Sequence, residues 1–161
     1  MAVATVVGAD ALAAKFNAAA VQLASQDAQW LGEVGEIVKL SIQQNIAMQG
    51  LVYGKADRPG HKHLIDTGRT FGHTKHGISV GFGKGHPAAH ALEFGAIAHA
   101  IVGNPLLAFW WQNRNNEWWV GPRVWHPGNI AYRYVYNGTL NAVIPVSKFF
   151  VQRVAAIFGG L

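Results

Sequence analysis

The residues best suited to chemistry are the eight histidines, six of which fall between positions 55 and 90. His86-Pro-Ala-Ala-His90 has i,i+4 spacing, which on a helix sets two imidazoles on one face for a metal ion. The zinc-protease signature puts Glu directly after the first His, and here Pro87 stands in that position. His61-x-His63 and His73-x-x-His76 lie in glycine-rich sequence that offers no regular element to hold ligand geometry. A metal-dependent hydrolase or nuclease using this cluster is the reading from the enzyme class. It would have to draw its carboxylates from Asp57, Asp66, Glu93 and Glu117, the acids beyond the N-terminal third. Glu93 sits in the apolar segment Ala91-Leu92-Glu93-Phe94-Gly95, where a structural carboxylate outweighs a catalytic one. No Ser occupies a Gly-x-Ser-x-Gly turn, and the absence of Cys removes thiol nucleophiles and thiolate zinc sites. Gly81-Phe-Gly83-Lys84-Gly85 lacks both the dinucleotide fingerprint and the Gly-Lys-Ser/Thr of a P-loop. The balance favours assembly over catalysis, with no catalytic, cofactor-binding or metal-binding residue expected.

The elements around these residues belong to a chain of 161 residues, a length that suits a single domain. Half the residues are apolar and 13% are charged, about half the usual quarter, so intrinsic disorder is a poor fit and part of the surface is expected to be covered. Charge is uneven within the net +5. Lys55, Arg58, Lys62, Arg69, Lys75 and Lys84 make the middle basic and are the candidates to face DNA or an acidic partner, against the plainer reading of a solvated loop. No apolar run is read as approaching the roughly 18 residues of a membrane span. The first residues lack the basic start of a signal peptide, which points to an intracellular or particle-bound setting.

Apolar residues from Leu12 to Ile46 recur in steps of three and four, predicting an N-terminal helix or helix pair over 1–50. Asp10 is the expected N-cap, a break is expected near Ser25-Gln26-Asp27, and Gly50 is the expected stop. Gly32 and Gly35 each disfavour helix by about 1 kcal/mol relative to Ala, so contact with another chain is their expected reason. Residues 51–77, punctuated by Gly and Pro, read as an extended loop or arm. Residues 78–140 read as a β-rich core, with Ala88–Phe94 undecided between helix and extended chain. Its clearest signal is a hairpin whose expected register pairs Trp111 with Trp118 and Trp110 with Trp119. Because side chains alternate, one Trp pair is expected to pack on the helices and the other to meet solvent or a neighbouring subunit, and Trp110, Trp111, Trp118, Trp119 and Trp125 are the candidate interface tryptophans. Pro145 is read as the first position of a C-terminal helix over 145–158. Together these predict one α+β domain with a central antiparallel sheet.

An ordered motif series then carries a resemblance. Asp66-Thr67-Gly68-Arg69-Thr70-Phe71 is followed by Val80-Gly81-Phe82-Gly83, by His90-Ala91-Leu92-Glu93-Phe94-Gly95-Ala96, and by His99-Ala100-Ile101. Leu106-Leu107-Ala108-Phe109-Trp110 and Val124-Trp125-His126-Pro127-Gly128 complete it. Across residues 64–130 the chain resembles the neck or tail-completion (head–tail joining, minor tail) proteins of long-tailed bacteriophages. It departs from that pattern at Arg69-Thr70-Phe71, His90, Ala96 and Tyr132-Arg133-Tyr134. The resemblance implies a non-enzymatic virion subunit, assembled in the host cytoplasm as a ring of six copies between head and tail, with a tail-terminator ring as the alternative. Its implied partners are copies of itself, adjoining connector and tail proteins, and DNA passing through the channel, with no membrane and no small-molecule substrate. Thr67, Gly68, Glu93, Phe94, Gly95, His126, Pro127 and Gly128 are then structural motif residues.

Overall fold

A computed structural model describes residues 9–51, 63–74, 77–86, 88–111 and 117–159. The fold is α+β: two long helices packed on each other, and two antiparallel β-hairpins. Its elements gather into two compact units, a helical unit and a hairpin unit.

In the helical unit, α1 (Ala9–Met48) is one continuous helix of 40 residues, about 60 Å long at 1.5 Å per residue. The expected break at Ser25-Gln26-Asp27 does not form. Ser25 Oγ instead donates to the Gln22 carbonyl at 2.8 Å, keeping the polar joint within the helix. Asp10 lies inside the first turn rather than capping it. Gly50, at φ 63°, ends the helix as expected: its N–H bonds Ala47 O and the Leu51 N–H reaches back to Ile46 O. That pairing is the Schellman arrangement, and it buries Leu51 completely.

The expected C-terminal helix over 145–158 is corrected to α3 (Tyr134–Gly159), which runs through Pro145. Residues 134–140, read as part of the β-rich core, form its opening turns. Their Tyr and Val content suits a strand, but packing on α1 overrides that preference. Tyr134 is buried, and Gly138 lies so close to α1 that a Cβ there would come within 2.5 Å of Ile42 Cα. Ser41 Oγ donates to the Gly138 carbonyl at 2.8 Å across the same crossing. The helices run antiparallel, since Trp30 meets Phe149 and Phe150 (6.3 and 6.2 Å) while Phe16 meets Phe158 (6.1 Å). Pro145 withdraws one i−4 bond from the Asn141 carbonyl, and Asn141 is exposed to water. α3 is long and apolar enough to cross a membrane by length and composition, with only 11% of its most apolar stretch buried. This corrects the expectation that no apolar run approaches that length, because residues 134–144, ahead of Pro145, join the helix.

The stretch read as a 51–77 arm is part structured: residues 52–62 lie outside the described residues, but a 3-10 turn (Leu64–Thr67) leads into β1 (Arg69–Thr74), paired antiparallel with β2 (Gly77–Gly81). Gly72, read as a breaker, takes φ 66° inside an irregularity between Phe71 and Thr74, so it bends the strand without ending it. This hairpin packs on α1.

The hairpin unit holds α2 (Ala89–Phe94), β3 (His99–Trp111) and β4 (Glu117–His126). β3 and β4 pair antiparallel with a bulge between Val102 and Leu107, which takes up Gly103-Asn104-Pro105. The expected register is corrected by one residue: Trp110 pairs with Trp118, Phe109 with Trp119 and Trp111 with Glu117. Pairing centres on position 114 itself, which lets the Trp119 ring meet Phe109 at 5.2 Å. The β structure is thus two separate two-stranded hairpins in place of one central sheet.

Candidate subunit interface

The motif residues assemble into two junctions. In the helical unit, Thr67 is buried between the 3-10 turn and the end of β2. Its Oγ donates to Leu64 O (2.6 Å) and accepts the Gly83 N–H (2.7 Å). Gly68 lies beneath the Phe82 ring, where a Cβ would come within 2.6 Å of ring carbons. The first two motifs therefore form one clasp.

In the hairpin unit, Glu93-Phe94-Gly95 meets His126-Pro127-Gly128-Asn129. Ala96 and Asn129 exchange both backbone hydrogen bonds at 2.9 Å. Asn129 Nδ2 donates to Ala91 O (2.8 Å) and Ile130 O (2.9 Å), while the Tyr132 and Arg133 N–H groups take Leu92 O and Glu93 O. The last carbonyls of α2 thus find donors from a segment some forty residues away in sequence, as a helix end requires. Gly95 and Gly128 both take positive φ, and a Cβ on Gly128 would approach Ala96 O to 2.3 Å. Asn129, one residue past the last motif, is the side chain that ties this junction. Its place after Pro-Gly was the available signal.

Above the junction, one face of the hairpin carries an apolar cavity of about 320 Å³, lined by Ile101, Leu107, Phe109, Val124, Trp125, His126 and Pro127. His126 Nδ1 accepts the Gly128 N–H at 3.0 Å, and its ring lies 5.2 Å from that of His99. His99 Nδ1 lies 2.8 Å from Ile97 O. Among the described residues no group of three or more His, Asp or Glu is arranged to hold a metal ion.

The candidate interface residues separate. Trp118 and Trp125 are exposed, Trp119 is half-buried, and the side chains of Trp110 and Trp111 lie outside the described residues. Gly35 is not held for another chain: a Cβ there would come within 2.6 Å of Ile78 Cδ1 and 3.1 Å of Thr70 Cγ2, so it seats the first hairpin on α1. Gly32 is half-buried on α1. Of the basic candidates, Arg69 is exposed with its guanidinium over Phe71 (5.2 Å), and Lys84 is exposed after β2. Lys55, Arg58, Lys62 and Lys75 lie outside the described residues. Phe94 is exposed, and Glu93 is half-buried.

Ion pairs on α1 and between α1 and α3 mark the described part of the helical unit. Lys39 pairs with Glu36 along α1, and Arg153 of α3 donates to Glu33 Oε2 at 2.5 Å. The Arg153 hydrogen bond, helped by one from Gln29, holds the Glu33 carboxyl below its ordinary pKa.

Among known proteins, no family model, no curated sequence and no solved structure matches this chain.

Proposed function

We propose that this chain is a non-enzymatic virion protein that forms a ring in the neck or tail-completion region of a long-tailed bacteriophage, joining the DNA-filled head to the tail. A tail-terminator ring is the alternative position for the same assembly. Six copies surround the DNA channel, and adjoining connector and tail proteins cover the two ends.

The observation that carries this reading is exposed apolar surface: Phe94, Ile97, Trp118 and Trp125 of the hairpin unit and Ile144 of the helical unit are all more than 60% exposed. Large exposed apolar side chains gathered on one element favour a protein partner. The motif series supports the virion assignment, since its residues build the two junctions that shape the hairpins. The exposed Arg69 and Lys84 suit DNA or an acidic neighbouring ring.

Light scattering on the purified chain, with electron microscopy, tests the reading. Closed rings of six are expected. A strictly monomeric chain at high concentration that connector or tail-tube rings also fail to recruit would overturn it.

A further inference from the structure

His99 and His126 face each other across the first rung of the β3–β4 ladder, with ring centroids 5.2 Å apart and planes 32° from parallel. Each Nδ1 has a backbone partner of fixed polarity. A carbonyl oxygen only accepts, so the 2.8 Å contact of His99 Nδ1 with Ile97 O places a proton on that nitrogen. A backbone N–H only donates, so the 3.0 Å bond from Gly128 N–H to His126 Nδ1 requires a bare lone pair there. The proton of neutral His126 then sits on Nε2. The two imidazoles are held in opposite tautomers.

Acid acts on them unequally. A proton added to His99 goes to Nε2 and leaves its bond to Ile97 O intact. A proton added to His126 goes to Nδ1, where it turns the acceptor of the Gly128 N–H into a second donor and breaks the bond. With both rings protonated, like charges also stand face to face. The lost bond lies at the junction. Gly128 takes φ 85°, and a Cβ on it would approach Ala96 O to 2.3 Å. The next residue, Asn129, exchanges both backbone bonds with Ala96 and donates to Ala91 O. A shift at Gly128 therefore bears directly on the contacts that join α2 to the end of β4.

The other titratable groups of the described hairpin unit do not replace that bond. α2 contributes His90, against Phe94 at 4.7 Å, and the half-buried Glu93. β4 contributes Arg123, three residues from His126 and so on the other face, and Glu117 at the far end of the ladder, opposite Trp111. Beyond the turn come Tyr132 and Arg133, whose backbone N–H groups take the last carbonyls of α2. A carboxylate favours the charged imidazole and a guanidinium disfavours it, but neither restores the lone pair that Gly128 needs.

We infer that the His99–His126 pair makes the junction of the hairpin unit pH-sensitive: closed while His126 is neutral, and loosened when His126 takes a proton on Nδ1. The inference concerns the hairpin unit alone and stands independently of the ring reading.

Hydrogen exchange of the full chain, read by mass spectrometry and corrected for the intrinsic rate, tests it at about pH 8 and about pH 5, the span over which imidazole titrates. Protection across residues 94–98 and 127–133 is expected to fall about 5- to 10-fold in acid, the measure of one hydrogen bond, while α1 and α3 keep theirs. His126→Asn sets Oδ1 where Nδ1 stands and has no proton to gain, so its junction is expected to be equally protected at both pH values. His99→Asn keeps a donor for Ile97 O and is expected to retain the acid response. In the wild type, imidazole nitrogen NMR shifts at about pH 8 are expected to show Nε2–H at His126 and Nδ1–H at His99. Nδ1–H at His126 overturns the inference whatever the variants do. Unchanged wild-type protection also overturns it, as does equal loosening in His126→Asn, which assigns the effect to another group. A loss that spreads equally to α1 and α3 is general unfolding and overturns it too.

Discussion

In the helical unit Trp30 is 4% exposed and edge-on to Phe149 and Phe150, whereas in the hairpin unit Trp118 and Trp125 stand 61% and 67% exposed. The same contrast runs through the aliphatic residues. Ile42, Ile46, Leu51 and Leu64 are wholly enclosed in the helical unit, while Ala89 and Leu92 are the buried apolar residues among those described in the hairpin unit. A two-stranded hairpin has two faces and little else to lay over them, and alone it is marginal in water. Two long antiparallel helices enclose a seam that holds Ala19, Trp30, Ile42 and Ile157. The difference teaches which apolar residues the chain encloses by itself and which it leaves open.

The largest blow to that contrast falls at the enclosed aromatic. Trp30→Ala is expected to lower unfolding free energy by about 3–5 kcal/mol, read by denaturant titration, because it leaves a cavity between α1 and α3. Loss below about 1 kcal/mol would mean the helical seam is not the stable part. Gly138→Ala comes next, at about 1–3 kcal/mol. The obstacle to its methyl is the Ile42 backbone, which cannot rotate aside. Its effect should exceed the roughly 1 kcal/mol that Ala gains in helix propensity, so a stabilised variant would refute the close crossing.

Trp118→Ala sharpens the other side. Its cross-strand pairing with Trp110 predicts a stability loss under about 1 kcal/mol by thermal unfolding of the dilute chain. A loss matching that of Trp30→Ala would erase the distinction between the units. The smallest effect belongs to Glu33→Gln. The Glu33 carboxyl is held low in the fold, so the stability from its Arg153 contact is present above the ordinary carboxylate pKa and lost as pH falls through the folded value. Wild type and variant should therefore differ slightly in Tm at neutral pH and converge in acid. A gap that persists in acid would separate the effect from ionisation.

Much of the fold was legible in single residues. The steps of three and four from Leu12 to Ile46, and Gly50 after them, describe α1 and its stop because both are local consequences of helix geometry. The α+β class followed from the same kind of pattern. The hairpin was legible in existence but missed in register by one residue, since a turn of uncertain centre leaves two pairings of nearly equal local merit. β1 was hidden because Gly72 resembles a breaker until it is seen as a bend in a paired strand. Of the interface candidates, Trp118 and Trp125 are exposed, while Gly35 turns inward against Ile78.

Composition and periodicity alone thus determined that this chain has two helical ends, a β-rich middle, no thiol chemistry and too few charges for its length. Only the tertiary structure decided that Pro145 lies within α3, because contact with α1 at Gly138 and Ser41 outweighs the local preference of Tyr134–Leu140 for strand. It alone decided that motifs far apart in sequence close into clasps at Thr67 and Asn129, since hydrogen bonds across that separation have no local signature. It also decided that one face of α3 is left apolar and open. Periodicity reports that a face is hydrophobic, and packing determines whether the chain itself covers it.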